Sequence, residues 1–165
     1  MKRLLSILLI FVTTIMLTAC SKEVDPNAKT FKEEDFEITL TNDFSKIELS
    51  GIKYYYEDKT NNVIAFVNVD SKQLFENAGI NFPDDSEGYA KHFINVNKLD
   101  AEVTKKKDFA HFTYKTTVNG VEYYFYALTY KSGDNCWLVQ FRCVSDKVND
   151  LESQFDKWAD TIVVK

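Results

Sequence analysis

Three cysteines, two histidines and one dense acidic run are the side chains of this 165-residue chain whose chemistry could go beyond packing. Cys136 and Cys143 stand seven residues apart in Asn135-Cys-Trp-Leu-Val-Gln-Phe-Arg-Cys143. In a strand that spacing is roughly 23 Å, far beyond the roughly 7 Å between Cα atoms that a disulfide tolerates. Odd spacing also sends the two side chains to opposite faces of a sheet. They are expected as free, buried thiols. A Cys–His nucleophile pair would need a base beside an exposed thiol, and no motif around either cysteine supplies one.

His92 falls in a helical stretch beside Phe93, and His111 in a strand between Ala110 and Phe112. A metal site needs three or four ligands at recognisable spacing. The residues sharing strand parity with His111, namely Phe109, Thr113 and Lys115, are not usual ligands. Asp84-Asp85-Ser86-Glu87 has oxygen enough to suggest calcium. Acidic residues, however, gather at helix N-termini for the dipole alone. The five glycines, at 51, 79, 88, 120 and 133, are scattered, so no phosphate-cradling loop exists. The expectation is of no enzyme: no catalytic residue, no metal and no cofactor.

The third thiol, Cys20, closes an N-terminus in which Lys2 and Arg3 precede an apolar run from Leu4 to Ala19. A positive start, a short apolar stretch and small residues at its end are the features of a secretory signal. The run falls short of the roughly 20 residues needed to span a bilayer. Leu17-Thr18-Ala19-Cys20 resembles the lipobox of bacterial lipoproteins, in which the leader is removed before the cysteine and the thiol is diacylated. That resemblance makes residues 1–19 a signal peptide cut between Ala19 and Cys20, with the lipid on Cys20. The mature protein is then anchored to the extracytoplasmic face of the cell membrane, because two acyl chains hold stably where one does not.

The chain after the leader is long enough for one domain with a sizeable core. Without Lys2 and Arg3 the formal charge goes from -5 to -7. An acidic surface disfavours nucleic acid, whose phosphates call for lysine and arginine, and leaves membrane attachment to the lipid; no nucleic-acid partner is expected. The one basic run, Lys105-Lys106-Lys107, runs straight into Asp108 and reads as a solvated turn.

Residues 20–30, with Ser21 to Thr30 polar, read as the lipidated N-terminus and tether, and residues 31–165 as a single domain. Phe36, Ile38 and Leu40 alternate with Glu37 and Thr39, a half-buried strand. Short strands are expected at 47–49 and 52–56. Val63 to Val69 is apolar on both parities, as a strand covered on both faces must be. Helices follow at 71–77 and 86–96, the first stopped by Gly79 and the second with N-cap candidates in Pro83-Asp84-Asp85-Ser86. After a strand around 101–106, Asn119-Gly120 joins strands 109–118 and 121–131 as a type I′ hairpin. Ser132 to Asn135 turns into a strand at 136–144. A final helix from 145 or 146 to about 160 carries Val148, Leu151, Phe155, Trp158 and Ala159 on one stripe.

Strands joined mostly by hairpins, with helices inserted and appended, give an α+β fold: an α/β/α sandwich with a mostly antiparallel sheet. Nine tyrosines are the one compositional excess, clustered at Tyr54-Tyr55-Tyr56 and Tyr123-Tyr124-Phe125-Tyr126. They fill a sheet–helix core or make an interface. Tyr55 is the candidate binding-surface residue, being opposite in parity to Ile52, Tyr54 and Tyr56.

The opening Phe36-Glu37-Ile38-Thr39-Leu40, the helix start Ser86-Glu87-Gly88-Tyr89-Ala90, the Asn119-Gly120 hairpin, the strand Trp137-Leu138-Val139-Gln140-Phe141 and the closing helix from Phe155 to Ile162 resemble the Mog1p/PsbP-like fold. The resemblance spans about Phe31 to Val164. It implies an antiparallel sheet between helices and no catalytic signature. Many relatives have a proline and a tryptophan after the first strand, where this chain has Thr41-Asn42-Asp43-Phe44. The expected function is that of a non-enzymatic extracytoplasmic lipoprotein binding a protein partner or assisting an envelope complex. The alternative is a carrier or sensor holding a small lipid or sugar in a sheet–helix cleft of roughly 300 Å³ or more. A thiol-dependent enzyme ranks third.

Overall fold

The computed structural model describes residues 26–165, so Ala19, Cys20 and the rest of the leader lie outside the described residues. Strand β1 (Ala28–Lys32) pairs with β2 (Phe36–Thr41), and β2 pairs on its other edge with β10 (Val163–Val164). A second, larger sheet is built from β3 (Ser45–Ile47), β4 (Tyr54–Asp58), β5 (Val63–Ser71), β6 (Thr104–Lys105), β7 (Ala110–Val118), β8 (Val121–Ser132) and β9 (Asn135–Val144). Its strands lie in the order β3-β4-β5-β9-β8-β7-β6, every pair antiparallel. Helices α1 (Lys72–Asn77) and α2 (Ser86–Asn97) fall between β5 and β6 in the chain. Helix α3 (Val148–Ala159) follows β9 after a 3-10 turn. This is the mixed α+β sandwich with an antiparallel sheet that the residue pattern predicts.

Local chemistry sets the element ends. Asn119 and Gly120 have φ of 52° and 82°, the pair of positive values that a type I′ turn demands. Val118 therefore sits directly opposite Val121. The Asp85 side chain accepts from the Gly88 N–H at 2.7 Å and so caps α2, which absorbs the acidic run into helix capping. Buried Asp58 accepts from the N–H groups of Thr60 and Asn61 at 2.9 and 3.1 Å, which holds the turn from β4 to β5.

The large sheet carries a hydrophobic core on each face. On one, Tyr56, Val63, Ala65, Val67, Tyr126 and Leu128 meet the small sheet and α3. Phe36 stacks on Trp137 with ring centroids 6.1 Å apart, and Phe44 is edge-on to Trp158 at 5.1 Å. Three tyrosines of this face, Tyr54, Tyr124 and Tyr126, bond their hydroxyls to carboxylates, as phenols at a core edge favour. Tyr124 donates to Glu152 at 2.9 Å and Tyr126 to Asp156 at 2.5 Å, two clamps that seat α3 on β8. On the other face Phe75, Tyr89, Ala90, Ala110, Phe112, Ala127 and Leu138 pack beneath α1 and α2. Cys143 belongs to the first core and Cys136 to the second, both free and buried, as their odd spacing requires.

Three features differ from the sequence expectation. Strand β1 begins at Ala28, inside the stretch read as tether. Strand β2 hydrogen-bonds in the small sheet rather than the main one; alternation reveals that Phe36, Ile38 and Leu40 are buried, not which strands flank them. Lys105 is not a solvated turn residue: it lies in β6 and its ammonium reaches Asp85 at 2.7 Å and Glu87 at 3.3 Å.

Candidate interaction face

Cross-strand partners share a face, so the register of the large sheet defines rows on the side that carries α1 and α2. One row runs Phe112, Ala127, Gln140, Phe66, Tyr55. The next, toward the hairpin tip, runs Tyr114, Phe125, Arg142, Ile64, Glu57. Beyond it come Thr116, Tyr123 and Val144, then Val118 and Val121 at the tip.

Helix α2 covers only part of this side. Twelve residues at about 1.5 Å each give roughly 18 Å of helix, whereas the 12 residues of β8 run about 40 Å. Alanines at 90, 110 and 127 let the helix sit close at one end, and the Thr129 hydroxyl donates to the Ser86 carbonyl at 2.8 Å to hold its first turn there. The half of the face nearer the hairpin tip has no helix above it. Val118 and Val121 are 51% and 40% exposed, and Tyr55, Phe66, Tyr114, Tyr123 and Phe125 are each half-buried or nearly so.

This open half is preorganised by ring contacts. Tyr114 and Phe125 stack at 4.7 Å with planes 7° apart, and Phe66 meets Phe125 edge-on at 6.5 Å. Gln140, buried beneath them, donates from Nε2 to the Tyr114 hydroxyl at 2.6 Å. The Arg142 guanidinium lies over the Tyr123 ring, 4.6 Å from its centroid. Burial pushes the Tyr114 phenol up, with the Gln140 hydrogen bond acting the other way. Burial also raises the Tyr55 phenol, helped by the Glu57 charge and opposed by Arg142. The register puts Tyr55 on the side that carries α1 and α2, opposite to Tyr56 in the first core and Tyr54 packed against it.

Where α2 meets the sheet, a cleft of about 330 Å³ is lined by Lys53, Asn68, Asp70, Tyr89, Phe93 and Leu138 among others. The Tyr89 hydroxyl donates to Asp70 at 2.7 Å along its wall, and Phe93 contacts Phe112 at 5.9 Å. The cleft thus opens beside the aromatic rows.

The histidines do not join either place. His92 packs beside Phe75 at 5.2 Å. His111 lies on the opposite side of the sheet, 4.2 Å from Tyr126, with its Nε2 buried and unpartnered. Among the described residues no group of three potential ligands could hold a metal ion. Burial lowers the His111 pKa, with Asp156 and Glu152 acting upward and Lys106 downward. The fold therefore favours neutral imidazole. Its contribution to stability is complete above the ordinary value of about 6.5 and is lost as pH falls through the lower folded value. Urea midpoints measured between pH 8 and pH 5 should fall more for the wild type than for His111→Phe; parallel curves would refute this account.

Against solved structures the chain is similar to the cyanobacterial PsbP (CyanoP) of Synechocystis sp. PCC 6803, with a TM-score of 0.59 and 13% identity over 90% of this chain and 99% of that one. It is also similar to a protein of Bacteroides thetaiotaomicron VPI-5482, with a TM-score of 0.56 and 11% identity over 84% of this chain; it covers 49% of that one, about half its length. A looser likeness in outline, TM-score 0.44 at 9% identity over 84% of this chain and 90% of that one, is to LpqN, involved in cell envelope biogenesis of Mycobacterium tuberculosis. No protein-family model and no curated protein matches the sequence. The chain has a PsbP-like fold. That likeness is one of architecture and transfers no site residue.

Arg142 and Gln140 are not singled out by sequence reasoning. The signal available was their shared parity with Leu138 in an otherwise apolar strand, where a buried polar group implies a partner or a task.

Proposed function

We propose that this is a non-enzymatic accessory lipoprotein, held on the extracytoplasmic face of a membrane by lipid on Cys20, which binds a protein partner through the open half of its large sheet. The observation that carries the reading is the set of half-buried aromatic side chains, Tyr55, Phe66, Phe125 and Tyr123, that runs to exposed Val118 and Val121 at the hairpin tip. Contiguous exposed apolar surface marks interaction sites, and tyrosine-rich surfaces supply contact area at low entropy cost. The anchor reading rests on Leu17-Thr18-Ala19-Cys20. Among the described residues no helix is long and apolar enough to cross a membrane. The PsbP-like fold is compatible with an accessory role. A small ligand in the cleft is the second reading, favoured by its volume of about 330 Å³ and its wall of Tyr89 and Phe93.

The test is photocrosslinking in cells from a benzoylphenylalanine at position 55, with exposed Lys157 of α3 as the control position and Cys20→Ala as the unanchored control. One dominant protein adduct is expected from position 55, absent from 157 and lost without the anchor. Equal labelling from both positions would refute the face. Adducts to lipid or glycan alone would move the function to the cleft.

A further inference from the structure

The open face contains one charge that the rest of the molecule does not neutralise. Arg142 is the only arginine after Arg3. Several lysines elsewhere on the described surface are matched to acids: Lys46 with Glu33, Lys53 with Asp35, Lys91 with Glu87, Lys115 with Glu122 and Lys165 with Glu37, all within about 3.1 Å. Arg142 belongs to no ion pair among the described residues, and its Nε is buried without a hydrogen-bond partner. The acid in its own row, Glu57, lies two strands away across Ile64, near Lys59 instead. What surrounds the guanidinium is aromatic and aliphatic: the Tyr123 ring below it, Phe125 and Ile64 on the flanking strands. A buried donor left unpaired is costly, and an arginine fork seated on an aromatic face is preoriented for a planar carboxylate.

We propose that Arg142 receives a carboxylate of the protein partner, an acidic side chain or a chain terminus, whose flanking apolar side chain lies on Phe66 and Phe125. This rests on the reading of the open face as the partner's site. A single arginine in an acidic domain selects the carboxylate over other anions. Phosphate groups and nucleic acid are held by several basic groups together, and anionic lipid attracts clusters of them.

N-acetylphenylalanine and its amide, which differ only in the charged group, separate the possibilities. Each is titrated into the full chain in detergent micelles, following the arginine Nε–H signals by NMR; Arg142→Gln identifies the Arg142 signal. The acid is expected to shift that signal together with the amides of Tyr123 and Phe125, and to bind at least tenfold more tightly than the amide. In Arg142→Gln acid and amide should bind alike, while Arg142→Lys, which keeps the charge and the packing stem, should retain part of the difference. Equal binding of acid and amide to the wild type, or an unmoved Arg142 signal, overturns the proposal. Phenyl phosphate binding more tightly than the acid overturns the choice of carboxylate. Crosslinks from position 55 that persist undiminished in Arg142→Gln overturn the role of Arg142 in holding the partner while leaving the face standing. Acid discrimination at Arg142 without any crosslink from position 55 leaves the carboxylate site and removes the protein-binding reading.

Discussion

Phe155→Ala is expected to destabilise the protein by about 3–5 kcal/mol, the range for deleting a large aromatic from a packed interior. Phe155 is fully buried on α3, stacked on Phe141 with centroids 5.5 Å apart and in contact with Tyr126 and Trp158 at 5.9 and 5.7 Å. Its removal opens a void between β8, β9 and α3, where the rings of Tyr126, Phe141 and Trp158 pack against it. The loss is a large share of the roughly 5–15 kcal/mol that holds a domain of this kind folded. The damage should also spread beyond α3. The Thr161 hydroxyl just past the helix accepts from the Thr39 N–H at 2.9 Å, and β10 pairs with β2, so the small sheet leans on the same C-terminal segment. A urea titration should show the midpoint collapsing for Phe155→Ala and staying within about 0.5 kcal/mol for exposed Lys157→Ala. A cost under 1 kcal/mol at Phe155 would mean that α3 is not integral to the core.

Much of this architecture is written in local residue patterns. The Asn119-Gly120 turn, the cap at Asp85, and the two-sided apolarity of β5 each follow from a short-range rule, and each is found. What local pattern leaves out is pairing and coverage. Strand β10 has two residues, Val163 and Val164, too few to carry an alternation. Strand β2 alternates cleanly, yet its partners are 28–32 and 163–164, one of them more than a hundred residues away. The candidate face was legible to the same degree. Tyr55 is identified by parity alone. The exposure of Phe66, Phe125 and Tyr123, by contrast, depends on where α2 stops, a matter of helix length against strand length that no single window of sequence contains. Arg142 is concealed for the same reason. In a strand read by itself its neighbours are Phe141 and Cys143, whereas its physical surroundings come from β5 and β8.

The two described thiols should be nearly inert in the native protein, and this result decides whether either cysteine can serve as a nucleophile. Burial pushes Cys136 up to about 12 and Cys143 up to about 11. The nearby Asp70 and Asp146 charges act in the same direction, and only Lys131 opposes them at Cys136. Because the thiolate is the reacting species, at pH 8 this lowers the reactive fraction on the order of a thousandfold and a hundredfold relative to an exposed cysteine. Both side chains are also sealed from solvent, Cys143 in one core and Cys136 in the other, so a reagent must wait for opening. The measurement uses Cys20→Ala, which leaves only these two thiols. Labelling by an aromatic disulfide reagent at pH 8 should be slower in the native state than in urea by on the order of a hundredfold or more, with both cysteines reacting once unfolded. Native labelling of either cysteine at the free-thiol rate would restore thiol chemistry as a function and displace the accessory reading. If the thiols stay silent while the Arg142 resonance answers to a carboxylate, the chemistry of this protein is recognition on the open half of its sheet.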